Sequence, residues 1–184
     1  MKKILIVMII CLFLVGCNKV VKDEVVVFET SEGIIKVKLD RENAPITVEN
    51  FVGYVNEGFY DGLVFHRVMS GFMIQGGGFT PDGNQKETRD EIKLESQNGL
   101  SNDRGTIAMA RTNVPDSASS QFFINLVDNG FLNYGPGNDG YAVFGKTIEG
   151  LDVVDAIGAV ETTTKKGMGD WPVEEVVITK AYME

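Results

Sequence analysis

Residues 65–77 of this chain read Phe-His-Arg-Val-Met-Ser-Gly-Phe-Met-Ile-Gln-Gly-Gly, and the fold can be worked out from this stretch outward. The stretch contains most of two short apolar segments, residues 64–68 and 72–75, which are separated by Gly71. Short apolar segments that are interrupted by glycine favour short β-strands joined by turns. The stretch therefore predicts two strands in close succession.

The side chains of these two strands should alternate between two faces. Arg67 is expected to point away from His66, and Met73 is expected to share a face with Gln75. On pattern alone, an isolated arginine in an apolar strand is more often a surface charge than a functional group. A lone histidine is more often a hydrogen-bonded structural residue than a base.

Further strands are predicted on both sides of this stretch. Val25–Thr30 is rich in β-branched residues, residues 31–33 are a turn signal, and residues 35–39 alternate between apolar residues and lysine. This arrangement is typical of a β-hairpin with one buried face. Other short apolar segments predict strands at residues 106–110, 122–126, 142–146 and 173–181.

Two helices are also predicted. The first has apolar residues at the spacing of an amphipathic helix, namely Val48, Phe51, Val52 and Val55. Thr47 is its expected N-cap, and Gly58 is expected to end it. A second, shorter helix is predicted to start near Gly150. Many short strands with two helices indicate one antiparallel barrel or sandwich with helical caps, and the pattern alone does not choose between them.

Residues 65–77 resemble the signature of the cyclophilin family. Residues 105–126 (GTIAMARTNVPDSASSQFFINL), residues 131–132 and residues 141–146 (YAVFGK) resemble further stretches of that family, in the family's order. The resemblance covers residues 25–184. It implies a mainly β fold, a closed eight-stranded antiparallel β-barrel capped by two α-helices. It also implies peptidyl-prolyl cis–trans isomerase activity.

The resemblance implies roles for individual residues as well. The family's catalytic arginine corresponds to Arg67, and Phe72 and Gln75 belong with it to the catalytic set. The remaining residues of the proline pocket and of the groove that binds the peptide correspond to Met73, Ala110, Arg111, Thr112, Gln121, Phe123, Phe131, Leu132 and Tyr141.

The chain departs from the large eukaryotic subgroup at several of these positions. Phe131 stands where that subgroup has a tryptophan, Tyr141 where it has a histidine, and Arg111 where it has an asparagine. Residues 134–139 lengthen a loop. In these features the chain is similar to the bacterial extracytoplasmic subgroup.

The implied chemistry suits a chain without an obvious nucleophile. Rotation about an amide bond has a barrier of roughly 18–20 kcal/mol, and accelerating it about 10⁵-fold requires only about 7 kcal/mol. No covalent bond breaks, so neither a metal nor another cofactor is expected. The alternative is a non-catalytic proline-peptide-binding or chaperone-like module. Arg67 favours the enzyme, because a pure binder has less need of a charge directed at the imide nitrogen.

The first seventeen residues predict an exported lipoprotein. A basic start precedes uninterrupted apolar residues 4–15, too few to span a bilayer, which takes roughly 20. Residues 14–17 (LVGC) resemble the lipobox of bacterial lipoprotein precursors. We therefore expect a lipoprotein signal peptide at residues 1–16, then a lipidated Cys17 and a short tether at residues 17–24. An ordinary secretion signal with a coincidental cysteine is the alternative.

Composition argues against several other classes of protein. The chain has 17 basic and 26 acidic residues and a net charge of −9, whereas nucleic-acid binders are usually basic. Its two cysteines, Cys11 and Cys17, lie near the N-terminus, and His66 is its one histidine, so a zinc or iron site is not expected. The expected partners are proline-containing exported polypeptides and the extracytoplasmic face of a bacterial membrane. A monomer is expected.

Overall fold

The computed structural model describes residues 23–184. The predicted signal peptide at residues 1–16, the lipidation site at Cys17 and most of the tether lie outside these residues. Within the described part of the chain, no helix is long and apolar enough to cross a membrane.

The described chain folds into a mainly β structure with two α-helices. The strands are β1 Val25–Thr30, β2 Gly33–Leu39, β3 Arg67–Met69, β4 Met73–Gly76, β5 Thr106–Met109, β6 Phe122–Asn125, β7 Val143–Glu149, β8 Thr162–Lys165, β9 Met168–Pro172 and β10 Ile178–Met183. The helices are α1 Pro45–Asn56, α2 Leu151–Gly158 and the 3₁₀ turn Gly130–Leu132. The predicted strands and both predicted helices are thus present, although the strand predicted at residues 173–181 begins only at Ile178. β8 and β9 were not predicted.

Eight of the strands form one antiparallel sheet in the order β10-β1-β2-β7-β5-β6-β4-β3. The predicted N-terminal hairpin is confirmed, with Phe28 opposite Ile35. The two strands of the 65–77 stretch also pair with one another, and Arg67 lies opposite Gln75. β8 and β9 form a separate two-stranded sheet.

The prediction of a closed barrel is wrong, because the sheet is an open half-barrel. Its edge strands β3 and β10 form no ladder with one another within residues 23–184. Only the segments that precede these two strands contact one another. An isolated bridge joins Val64 to Val177, and Phe65 N donates a hydrogen bond to Val176 O at 2.9 Å. A continuous closure requires pairing along the length of β3, but β3 has only three residues and β9 lies beside it.

The two faces of the sheet carry different apolar clusters. The main core packs both helices against one face and includes Phe28, Phe51 and Phe122. A smaller cluster on the other face contains Met73, Ala108, Phe123, Leu132 and Val143. Because side chains alternate along β6, the consecutive residues Phe122 and Phe123 enter different clusters.

The start of α1 differs from the prediction that Thr47 caps it. The helix begins at Pro45, with Ala44 at the N-cap position and no cap from its own side chain. Glu95 from a distant loop takes that role. Its carboxylate accepts hydrogen bonds from Ile46 N at 3.1 Å and from both N and Oγ1 of Thr47 at 2.7 Å. A carboxylate is favourable there because the N-terminus of a helix carries partial positive charge.

We expect Glu95→Gln to lower the free energy of unfolding by about 1–2 kcal/mol, because the amide removes the charge and one acceptor from the helix N-terminus. For a domain of this size the melting temperature should fall by roughly 2–8 °C. Thermal unfolding followed by circular dichroism measures the change. Glu91→Gln is the matched control, since Glu91 is exposed and has no hydrogen bond among the described residues. Equal melting temperatures for the two variants would contradict the capping role.

Candidate active site

A cavity of about 250 Å³ lies on the face of the sheet that carries the smaller apolar cluster. Its lining consists entirely of residues that the resemblance singled out, namely Arg67, Phe72, Met73, Gln75, Ala110, Arg111, Phe123, Leu132 and Tyr141. A larger cavity of about 930 Å³ lies elsewhere, near Asp23 and Lys146, and shares no lining residue with it. The smaller cavity is therefore the candidate active site.

The register of four strands places the central residues of the cavity in one row. Arg67 on β3 lies opposite Gln75 on β4, Gln75 lies opposite Phe123 on β6, and Phe123 lies opposite Ala108 on β5. Residues that lie directly opposite one another in adjacent strands point to the same face of the sheet. The row therefore places a guanidinium, an amide and an aromatic ring side by side.

The floor of the cavity is apolar and closed to solvent. Met73 is 2% exposed, Phe123 4% and Leu132 9%. The ring of Tyr141 meets Phe123 edge-on, with 5.6 Å between centroids. An apolar floor with polar groups at its rim is typical of a small ligand pocket.

Three predicted residues lie next to the cavity and do not line it. Gln121 accepts a hydrogen bond at its Oε1 from Gln75 Nε2 at 2.9 Å. Phe131 is 68% exposed and stacks on Phe72, with 5.6 Å between ring centroids. Thr112 is exposed, and its hydroxyl lies 2.8 Å from that of Ser117.

The position of Gln121 depends on a glycine in the opposite loop. A Cβ on Gly78 would lie 2.6 Å from Gln121 Cγ, closer than two carbon atoms can approach. Gly78 therefore leaves the space in which Gln121 reaches Gln75. This explains part of the glycine-rich run at residues 76–78.

The side chain of Arg67 is 43% exposed, and its guanidinium lies beside an acidic residue that the sequence did not reveal. Its Nε is 3.5 Å from Oδ2 of Asp170, which lies in β9 and has a φ of 60°. A long, exposed ion pair of this kind contributes little to stability. The threonine-rich β8 and the Lys166-Gly167 turn were a sequence signal for this hairpin, but nothing in that signal indicates that it lies against β3.

Arg111 is held at three of its N–H groups. Its Nε and Nη2 donate to the carbonyl oxygen of Gly140 at 2.9 and 2.8 Å, and its Nη1 donates to the carbonyl oxygen of Thr112 at 2.8 Å. Its guanidinium carbon lies 4.6 Å from the centre of the Tyr141 ring. These contacts leave the side chain little freedom to move.

His66 lies immediately before β3, outside the strand in which side-chain alternation was expected, and it does not line the active-site cavity. It is 5% exposed, and its ring lies 4.6 Å from that of Phe79 and 5.9 Å from that of Trp171, between centroids. Burial, helped by the nearby charge of Arg67, lowers its pKa to about 4, so the ring is neutral near pH 7. In residues 23–184 no group of three or more His, Cys, Asp or Glu side chains is placed to hold a metal ion.

Comparisons with known proteins show which family the chain belongs to. The model of the family described as cyclophilin type peptidyl-prolyl cis-trans isomerase/CLD matches residues 25–183. The chain is 57% identical over 155 residues to peptidyl-prolyl cis-trans isomerase cyp18 of Streptomyces antibioticus, which covers 83% of this chain and 93% of that protein. It is 51% identical over 156 residues to peptidyl-prolyl cis-trans isomerase B of Escherichia coli K12, covering 83% and 95%.

The fold of this chain is also similar to the folds of solved cyclophilin-type structures. The crystal structure of a cyclophilin-type peptidyl-prolyl cis-trans isomerase of Cryptosporidium parvum superposes with a TM-score of 0.73 at 25% identity, covering 88% of this chain and 98% of that one. A second crystal structure of that protein, determined in the presence of the dipeptide Ala-Pro, gives a TM-score of 0.72 at 26% identity. The family model, the bacterial relatives and the fold agree, and the chain therefore belongs to the cyclophilin-type peptidyl-prolyl cis–trans isomerase family and is an enzyme of that class.

Proposed function

We propose that this enzyme isomerises X–Pro bonds in exported polypeptides at the extracytoplasmic face of a bacterial membrane. Its apolar pocket holds the prolyl ring, and Arg67 stabilises the twisted imide. The observation that carries the proposal is the row in which Arg67, Gln75 and Phe123 lie side by side across adjacent strands. That row places a charged donor at the rim of a buried apolar floor.

The pocket suits one prolyl residue. Its volume of about 250 Å³ lies below the roughly 300–1,000 Å³ of pockets for drug-sized ligands. Met73, Phe123 and Leu132 offer apolar contact on the floor, with Phe72 on the wall. Holding the ring while the preceding residue rotates favours the twisted state over the two planar ones, which is the requirement for catalysis.

The charge needed for the twisted state would come from Arg67. When the C–N bond twists, amide resonance is lost and the imide nitrogen regains a lone pair. A guanidinium is always charged and offers donors in a fixed plane. Asp170 accepts a hydrogen bond from Nε of Arg67, and neither Nη group donates a hydrogen bond to a carboxylate among the described residues, so both are available to the substrate. Gln75, held by Gln121, is placed to bind the substrate backbone.

An exchange experiment on a proline tetrapeptide tests the activity directly. We expect catalytic amounts of the protein to raise the cis–trans exchange rate, measured by two-dimensional NMR exchange spectroscopy. A module that only binds proline peptides would broaden or shift the resonances without raising the exchange rate. That result would remove the catalytic part of the proposal.

The proposed location depends on lipidation of Cys17. Mass spectrometry of the native protein should find a mature chain that starts at a lipid-modified Cys17, and Cys17→Ala should release the domain from membranes or stall its processing. Two or more acyl chains anchor a protein stably, whereas one holds it only marginally. Cys11→Ala is the control and should leave anchoring unchanged, because Cys11 lies within the segment that is removed. A mature N-terminus elsewhere, with unmodified Cys17, would exclude this anchor.

A further inference from the structure

The arginines of this protein differ in their partners. The sequence contains five, and four of them lie within 3.5 Å of a carboxylate oxygen. The pairs are Arg41 with Glu24 and Glu49, Arg67 with Asp170, Arg89 with Glu57, and Arg104 with Asp155. Arg111 has no carboxylate partner within residues 23–184. In a chain with a net charge of −9, this unpaired guanidinium is an exception.

The unpaired Arg111 lies in the active-site cavity. Arg111 and Arg67 both line it, and no aspartate or glutamate does. Like charges on the wall of a concave site with apolar surroundings add to a local potential that attracts the opposite charge. Although Asp170 pairs with Arg67 from outside the lining, the unpaired Arg111 leaves the cavity with an excess of positive charge on an acidic protein.

Arg111 also has free hydrogen-bond donors on a side chain whose orientation is already fixed. A guanidinium has five N–H groups, and Arg111 uses three of them on the carbonyl oxygens of Gly140 and Thr112. Two N–H groups remain without a partner among the described residues. Because backbone carbonyls and the Tyr141 ring already hold the side chain, little conformational entropy is lost when a carboxylate binds to it.

We infer that Arg111 makes the enzyme prefer polypeptides in which an aspartate or glutamate lies next to the proline. This inference rests on the proposed isomerase activity and adds the substrate class. A carboxylate on the residue before or after the proline would meet the two free N–H groups of Arg111 while the prolyl ring occupies the pocket. A lysine at the same position would be repelled by both arginines.

The test compares peptides that differ in one side chain. Two series of C-terminally amidated tetrapeptides, Ala-Xaa-Pro-Phe and Ala-Ala-Pro-Xaa, carry Glu, Gln or Lys as Xaa. Their kcat/KM is measured by NMR exchange at about 20 mM salt, where screening is weak. In one of the two series we expect the Glu peptide to exceed the Gln peptide by roughly two- to fivefold and the Lys peptide to fall below it. The ratio should shrink as salt is raised.

Variants assign the preference to Arg111. Arg111→Gln should bring the Glu/Gln ratio to about one, and Arg111→Lys should keep part of it, because the charge remains while the fork is lost. Arg41→Gln removes the same charge outside the cavity and should leave the ratio unchanged. If Gln peptides are isomerised but Glu gives no advantage with the unmodified protein, this inference fails and the isomerase function stands. If no peptide is isomerised, the proposed function itself fails.

Discussion

Replacing Arg67 by alanine is expected to reduce kcat/KM by roughly 10²–10³, the scale for losing one preorganised charged donor in a site with little water. The loss should appear mainly in kcat, because the guanidinium interacts more strongly with the twisted imide than with the planar ground state. Arg67→Lys should recover only part of the rate, since an ammonium group lacks the planar fork. NMR exchange on a proline tetrapeptide measures kcat and kcat/KM of the unmodified protein and of both variants.

The variant should remain folded, because Arg67 is half-exposed and lies outside both apolar clusters. Its neighbour His66 is the control. His66 does not line the active-site cavity and is neutral near pH 7, so His66→Gln should keep most of the activity. With either protein, the rate should show no histidine titration between about pH 5.5 and 8. Full activity in Arg67→Ala, together with loss of activity in a folded His66→Gln, would contradict the proposed mechanism.

Replacing Phe123 by alanine is expected to impair both binding and stability. Phe123 is 4% exposed in the floor of the cavity, and removing a buried aromatic side chain weakens an apolar contact by about 1.5–3 kcal/mol, which predicts a roughly ten- to hundredfold higher KM. The free energy of unfolding should fall by about 3–5 kcal/mol. Concentration-dependent exchange rates and urea denaturation measure the two effects.

The neighbouring phenylalanine separates these two effects. Phe122 lies in the main core on the opposite face, where its ring stacks on that of Phe28 with 5.2 Å between centroids. The matched variants Phe122→Leu and Phe123→Leu should both lose stability, but only Phe123→Leu should raise KM. An equal rise of KM in both variants would mean that Phe123 acts through general loosening of the fold and not as the floor of the pocket.

Most secondary structure and the composition of the site were predictable from the sequence. The apolar spacing around Phe51 predicted α1, and the glycine between the segments of the 65–77 stretch predicted the turn between β3 and β4. These predictions work because the period of side chains along a helix or strand is a local property. The resemblance then picked out residues that converge on one cavity, including Arg67 and Phe123.

Other features could not be predicted, because they depend on partners distant in sequence. The cap of α1 comes from Glu95, 48 residues after Thr47, so the plausible local cap at Thr47 was the wrong choice. The carboxylate beside Arg67 belongs to Asp170, 103 residues further along the chain. The fixed orientation of Arg111 depends on a carbonyl at Gly140, 29 residues away. A local pattern does not specify which distant group meets a given donor.

By itself, then, the sequence determined where both helices and most strands of residues 25–184 lie, although not β8 and β9. By resemblance, it also determined the family and its candidate site. Only the tertiary structure decided that the sheet stays open, since this depends on whether its edge strands β3 and β10 form a ladder. It also decided which charges are paired, and that Arg111 has no carboxylate partner in the part of the chain that the structure describes. The physical reason is that periodicity arises within a few residues, whereas sheet closure and ion pairing depend on how distant segments meet after the chain has folded.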